Sequence, residues 1–229
     1  MTREAWLLTP GRVPYGPAFA AMRDLVDRRI EGQAPDALIL LEHEPVYTAG
    51  RRTDPAHLLL AERDLRAMGA ELHEVDRGGS ITFHGPGQLV GYPIVHLGVA
   101  PSLARHVRGM QEVVIRACAD VGVSAAPDDE VGVWCGERKV CAIGVKSTRR
   151  VTYHGFALNC TTDLAWFDAI VPCGLADRGV TTLSELAERT VTVEEMLPIV
   201  ARRFAEVFDR ELTEAPHEVA QRFAPADAA

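Results

Sequence analysis

The sequence predicts an α+β domain, a mixed and largely antiparallel central sheet flanked by helices. Hairpin-like strands are grouped in the middle of the chain, and amphipathic helical periods stand on either side of them. Strict βαβ alternation is missing, as are the glycine patterns of Rossmann and Walker phosphate loops.

Each element has its own local reason. "EAWLLT" and "DALILLEH" are apolar runs of strand length, and "YGPAFAAMRDLVDRRIEG" between them repeats its apolar residues at helical spacing. "AHLLLAERDLRAMGA" predicts a second helix over residues 56–70. Residues 71–97 read as strands broken by glycine and proline. In "SLARHVRGMQEVVIRACADVGV", Leu103, Val107, Met110, Val114, Ala117 and Val121 recur at helical spacing, which makes Cys118 a core residue. A meander follows: "VGVWC", a turn at Gly136-Glu137, "RKVCAIGVKS", a basic turn, then "VTYHGFALNC". Asn159, Thr161 and Thr162 offer caps for a short helix after it. Helices close the chain, the clearest being "VTVEEMLPIVARRFAEVF", where Pro198 predicts a kink. With no linker or repeat, residues 1–223 are expected to form one domain and residues 224–229 a short flexible tail.

Composition excludes several functions. The chain has 229 residues, 47% hydrophobic and 24% charged, which suits a packed globular protein. A formal net charge of −8 argues against general nucleic-acid binding, which needs a basic excess. No apolar run approaches the roughly 20 residues that cross a bilayer, and the start lacks a signal-peptide pattern. A cytoplasmic monomer without membrane attachment is the expectation. Five cysteines, an odd number, suit reduced thiols better than a disulfide framework. Cys135, Cys141 and Cys160 alternate with apolar neighbours and read as structural. The gap between Cys135 and Cys141 is too long for the usual zinc spacing, so no metal site is expected.

Three clusters carry possible chemistry. In "RGGSITFHGPGQLVGYP", residues 77–93, Gly78, Gly79, Gly85 and Gly87 permit close backbone approach, and His84 stands before the turn. In "GERKVCAIGVKS", period two puts Lys139 on one face with Cys141, Ile143 and Val145. Burial there would lower the lysine pKa, because desolvation disfavours the ammonium. In "YHGFALNCTTDLAWFDAIVPCGL", Gly155 offers bare backbone, and Cys173 sits between a proline and a glycine in a loop. A free thiol with pKa near about 8.5 becomes a useful nucleophile when a base or cation stands beside it.

Taken together, the clusters resemble the octanoyltransferases of lipoate biosynthesis. Arg77-Gly78-Gly79, Thr82 through Leu89 and Tyr92-Pro93 are similar to that family's central signature. "RKVCAIGVK" resembles its lysine strand, "HGFALN" its next strand, and "DLAWFDAIVPCGL" its cysteine loop. Ser80 and Phe83 depart slightly from the pattern. The similarity runs from about Leu38 to Leu186.

The resemblance implies a biotin/lipoate ligase-like fold and a cofactor-free, two-step acyl transfer. Octanoyl-acyl carrier protein would acylate Cys173. The ε-amine of a lysine on a lipoyl domain, in 2-oxoacid dehydrogenase subunits or the glycine cleavage H protein, would then take the octanoyl group as an amide. By the same resemblance Lys139 activates Cys173. Arg77, Gly78, Gly79, Ser80, Ile81, Thr82, Phe83, His84, Ala142, Ile143, Gly144, Gly155, Phe156 and Ala157 would line the substrate site. Arg51, Arg52, Arg149 and Arg150 are candidates for a basic rim facing an acidic carrier. Three rivals stand beside this: an ATP-dependent ligase of the same fold, which needs no loop cysteine, a thiol hydrolase pairing Cys173 with His84 or His154, and a non-catalytic binder of lipoyl domains.

Overall fold

The computed structural model describes residues 3–172 and 178–223. Chain order gives β1 (Arg3–Val13), α1 (Tyr15–Ile30), β2 (Asp36–His43) and β3 (Val46–Ala49). Next come α2 (Glu62–Ala67), β4 (Glu71–Glu74), β5 (Thr82–His84), β6 (Gln88–Ile94) and α3 (Leu103–Asp120). The meander is β7 (Val133–Cys135), β8 (Arg138–Thr148) and β9 (Val151–Asn159). The chain continues with β10 (Gly179–Val180), α4 (Leu183–Leu186), α5 (Val193–Phe208), β11 (Arg210–Glu214) and α6 (His217–Ala220).

The large sheet runs β10-β8-β9-β6-β2-β1-β11, with β7 also paired to β8, and a small sheet runs β4-β3-β5. The hairpin strands β2, β6, β9 and β8 pair antiparallel, whereas β1 lies parallel to both β2 and β11. The sheet is mixed, as the sequence predicts.

Alternation along the strands divides the core. Leu38, Leu40, Leu89 and Leu158 face α3 and α5, meeting Met110, Val114, Cys118, Met196 and Phe204. Ile39, Leu41, Val90 and Ala157 face α1, whose Met22, Leu25 and Val26 complete that layer with Phe223. A third core lies under the small sheet, around Tyr47, Leu65, Phe83 and Phe167.

The differences from the sequence reading are local. The helix over residues 56–70 forms only from Glu62. Before it, Leu58 bridges to Ile170 and the Leu59 N–H donates to the Ala169 carbonyl at 2.9 Å, so this apolar stretch is committed to another segment. β1 continues past Thr9 because Gly11, at φ +79°, absorbs a register shift. Asp163 caps the short 3-10 turn over residues 164–169, in place of Asn159, Thr161 or Thr162. The chain does not close on helices alone: β11 follows α5 and pairs with β1. α5 itself runs uninterrupted through Pro198 from a Thr192 cap.

Burial leaves four imidazoles uncharged. Desolvation, their first cause, holds His43, His106 and His154 down at about 4 and His84 at about 3. His106 packs edge-on against Phe208 at 5.3 Å, and neither ring nitrogen has a partner among the described residues. As pH falls below about 6.5 the unfolded chain takes up protons that the folded chain refuses. Stability is therefore full above pH 6.5 and drains toward pH 4. His106→Leu removes one such site, worth about 3 kcal/mol when fully expressed. Urea unfolding should show a larger gain for this variant at pH 5 than at pH 8, and equal gains would refute the assignment.

Candidate active site

Two cavities meet on one side of the large sheet, where the small sheet closes over β8 and β9. The first, about 380 Å³, is lined by Thr82, Gln88, Trp134, Lys139, Ala142, Ala157, Asn159, Phe167, Pro172, Arg178, Gly179 and Val180. The second, about 500 Å³, takes its walls from Arg77, Gly79, Ser80, Thr82 and His84 on one side. Ala142, Ile143, Gly144, Gly155, Phe156 and Ala157 form the other, and Tyr15, Thr48, Val90, Tyr92 and His154 complete it. Thr82, Ala142 and Ala157 line both, so the two adjoin. Volumes of this size suit a small ligand.

Lys139 reaches this cavity through a change of register. β7 and β8 pair Val133 with Cys141 but Trp134 with Lys139, leaving Val140 as an extra residue on β8. Val140 and Cys141 consequently both pack into the core under α3, and Lys139 turns to the cavity face with Ala142. Simple alternation had placed it with Cys141, Ile143 and Val145; the bulge overturns that. The Lys139 side chain is 5% exposed. Among the described residues its amine makes no hydrogen bond or ion pair, and it stands 4.6 Å from the centre of the Trp134 ring. β10 fixes the strand from the other side, pairing Val180 with Lys139, and the Thr181 N–H donates to the Lys139 carbonyl at 3.0 Å.

A single directed chain of hydrogen bonds underlies the cavity. Arg77 Nη2 donates to the Thr48 carbonyl and to Thr48 Oγ1, at 2.6 and 2.8 Å. The Thr48 hydroxyl donates to His84 Nε2 at 3.3 Å, and His84 Nδ1 donates to Gln88 Oε1 at 2.8 Å. Gln88 Nε2 donates to Asn159 Oδ1 at 2.9 Å, and Asn159 Nδ2 to the Thr181 carbonyl at 3.0 Å. Gln88 Oε1 can only accept, so His84 Nδ1 carries the proton; burial lowers the pKa of the ring and leaves Nε2 as the acceptor from Thr48.

A second cluster borders the other end. Asp76 accepts from Lys146 Nζ and the Tyr153 hydroxyl, both at 2.7 Å, and from His154 Nε2 at 2.9 Å. Burial alone would raise the Asp76 carboxyl; these three bonds outweigh it and hold it well below the usual range. His43 closes the same end, donating from Nδ1 to the Val13 carbonyl and accepting the Tyr92 hydroxyl at 2.7 Å.

Most residues expected at the site converge. Ile81 and Phe83 do not: alternation on β5 turns Phe83 into the third core, stacked on Trp166 at 5.1 Å, and Ile81 joins that core. Gly78 lies just outside the second cavity, its N–H donating to the Val145 carbonyl at 3.2 Å. Arg52 and Lys139 share a further opening. Arg149 and Arg150 form the turn at the far end of β8, about 30 Å from Lys139 by strand rise, and belong to no rim there. Cys118, Cys135, Cys141 and Cys160 are free thiols, each pushed up by burial and so poor nucleophiles. Cys173 lies outside the described residues. Both flanks of that segment, Pro172 and Arg178, line the Lys139 cavity.

Sequence reasoning missed Tyr15, Thr48, Trp134 and Arg178 as parts of this site, and named His154 only as the base of the hydrolase alternative. Nothing in a helix start, an isolated strand or an apparent core tryptophan marks them; only the sheet brings them together. Gln88→Leu should test the chain: it strands His84 Nδ1 and Asn159 Oδ1, and costs on the order of 3 kcal/mol. A denaturant midpoint unchanged from wild type would show that the network contributes nothing.

The family described as the lipoyl protein ligase A/B catalytic domain matches residues 14–205. The mitochondrial octanoyl-[acyl-carrier-protein]:protein N-octanoyltransferase of Danio rerio is 43% identical over 206 residues, covering 89% of this chain and 92% of that protein. The octanoyltransferase of Thermobifida fusca is 46% identical over 204 residues, covering 85% and 84%. Among solved structures, lipoate-protein ligase A bound with ATP superimposes with a TM-score of 0.78 at 17% identity, covering 97% of this chain and 92% of that one. At that identity the likeness speaks for the fold.

Proposed function

Because the chain belongs to the lipoyl protein ligase A/B catalytic domain family, we propose that it is an octanoyltransferase, moving an octanoyl group from octanoyl-acyl carrier protein to a lysine of a lipoyl domain. The observation that carries this reading is a buried amine without an acceptor among the described residues, in a cavity walled by both flanks of the Cys173 segment.

In the first step the Cys173 thiolate attacks the donor thioester carbonyl, and the carrier's thiolate leaves and takes a proton. In the second, the acceptor ε-amine attacks the new thioester. A C–N bond forms, the C–S bond breaks, and the Cys173 sulfur departs as the amine loses its proton. On this reading Lys139 would stabilise the thiolate as an ammonium or take that proton as an amine. Thioester exchange is nearly balanced and amide formation runs downhill, so no nucleotide is consumed. Burying the seven carbons beyond the carbonyl contributes on the order of 5 kcal/mol, and the cavity behind Gly144 and Gly155 is the place for them.

The acceptors on this reading are lipoyl domains of 2-oxoacid dehydrogenase subunits and the glycine cleavage H protein, and the setting is the cytoplasm. Among the described residues no helix is long and apolar enough to cross a membrane. On this reading residues 1–223 would form one catalytic domain, supported by Phe223 packing beneath α1; residues 224–229, expected from the sequence to be a tail, lie outside the described residues.

Geometry weighs against the thiol hydrolase. It would need His84 or His154 as a base; burial lowers the proton affinity of both rings, and His84 has both nitrogens engaged, with Thr48 and Gln88. The ATP-dependent ligase shares the fold, so chemistry must separate it. Incubation with octanoyl-acyl carrier protein and no nucleotide should add one octanoyl mass to Cys173, and Cys173→Ser should abolish the adduct. Lys139→Ala should lower acylation by about 10² to 10⁴ while the cysteine remains. An absolute requirement for ATP would reject the assignment.

A further inference from the structure

A separate cavity, about 750 Å³, lies at the start of α3 and shares no lining residue with the two described around the sheet face of Lys139. It is walled by the stretch between β6 and α3, the first turns of α3, and the chain where α5 passes into β11. Arg3, Arg105 and Arg210 line it together with His96, His106 and Ser102, and no carboxylate stands among its lining residues. In a chain of formal net charge −8 this is a local reversal of sign.

Hydrogen bonds divide these groups into engaged and open ones. Arg210 is engaged. Its Nε and Nη2 donate to Asp36 Oδ2 at 2.9 and 2.7 Å, and its Nη1 donates to the Phe208 and Asp209 carbonyls. Asp36 is satisfied in turn, accepting from Arg29 Nε at 2.7 Å and from the His96 N–H at 2.9 Å. The Arg3 and Arg105 guanidinium groups, by contrast, make no hydrogen bond or ion pair among the described residues. His96 Nδ1 accepts the Gly98 N–H at 3.1 Å, so the ring proton sits on Nε2, which also has no partner there.

His106 is the independent sign of a ligand. Its side chain is only 4% exposed, it lines the cavity, and neither ring nitrogen has a hydrogen-bond partner among the described residues. A buried donor left unmet destabilises a fold, and an apolar residue would remove that cost, unless something from outside the chain meets the donor. The helix adds to the case. Ser102 caps α3 by accepting the Arg105 N–H at 3.2 Å, and the remaining N–H groups of the first turn carry the positive end of the helix dipole. Two open guanidinium charges match a dianion, whereas a single carboxylate would leave one unbalanced. Val95, Leu97, Val207 and Phe208 supply an apolar wall beside them. Gly109 keeps that wall in place, since a Cβ there would meet the Phe208 ring at 2.9 Å.

We propose that this cavity is a binding site for a small phosphate monoester. Arg3, Arg105 and the first turn of α3 hold the dianion, His106 donates to it, and the carbon body of the ester lies against the apolar wall.

The full-length protein, titrated separately with butyl phosphate, inorganic phosphate and octanoate, tests this by calorimetry and by the imidazole NMR signals of His106. Butyl phosphate should saturate and shift the His106 signals, and should bind several-fold more tightly than inorganic phosphate, which has nothing to set against the wall. Octanoate should leave those signals unmoved. Arg105→Gln and His106→Leu should each weaken butyl phosphate by about tenfold. His106→Leu also identifies the ring signals, and it removes an unmet polar group, so its fold is retained. Arg63→Gln, in α2 with its side chain 88% exposed, should bind as wild type does. Unmoved His106 signals with butyl phosphate overturn the proposal, as do full binding by His106→Leu or a shift produced by octanoate alone. Equal losses in Arg63→Gln and Arg105→Gln overturn it too, because they would reduce the effect to general attraction of anions.

Discussion

One extra residue in β8 determines what the cavity contains. Without Val140 in its bulge, period two would carry Lys139 to the face that packs against α3, among Cys141, Met110 and Val114. An ammonium buried there without a partner is costly by several kcal/mol. The bulge lets two consecutive apolar residues fill the core and delivers the lysine to the opposite side. Pairing from both flanks then holds it, β7 through Trp134 and β10 through Val180. The cavity, its aromatic contact and the approach of the residue-178 strand all follow from that shift of register.

The parts of the fold that could be read from sequence are those with unbroken periods. β2, α1, α3, α5 and the β8–β9 hairpin carry them, and they are where the reading placed them. The Leu58–Leu60 run misled because apolar residues at the foot of a helix look like its first turn, whereas here the strand-like bridge to Ile170 takes them. β11 is short and its alternation gives no signal, since its pairing with β1 across some 200 residues is what makes it a strand. At the site, glycine-rich and lysine-bearing stretches were legible as motifs, and most of their residues converge. The face of Lys139 was not, because a bulge leaves no mark in a pattern of apolar residues. Thr48 and Tyr15 were not, because each acts only through partners distant in sequence.

Four histidines lie near or beneath the sheet; burial lowers the proton affinity of each, and His43, His84 and His154 are engaged in hydrogen bonds within the fold. His84 passes a hydrogen bond from Thr48 to Gln88, His43 joins Val13 to Tyr92, and His154 supports Asp76. A neutral imidazole offers one donor and one acceptor in fixed directions, which suits it to orient a chain of bonds. The cationic side chains that line the cavities are Lys139, Arg77 and Arg178.

Glycine explains how such a polar surround encloses an apolar space. A Cβ on Gly144 would come within 3.0 Å of both the Arg77 side chain and the Gly78 carbonyl, and one on Gly155 would strike the Gly91 carbonyl. At both positions the backbone itself is the wall, and the side chains that might have filled the gap are missing. The polar groups behind that wall, Arg77, Thr48, His84, Gln88 and Asn159, bond to one another or to carbonyls, and Asp76 accepts from Lys146, Tyr153 and His154. Groups satisfied in this way have little left to offer water. On the acyl-enzyme mechanism proposed above, such mutual pairing would favour a site poor in water, in which a thioester outlasts hydrolysis long enough to meet an amine.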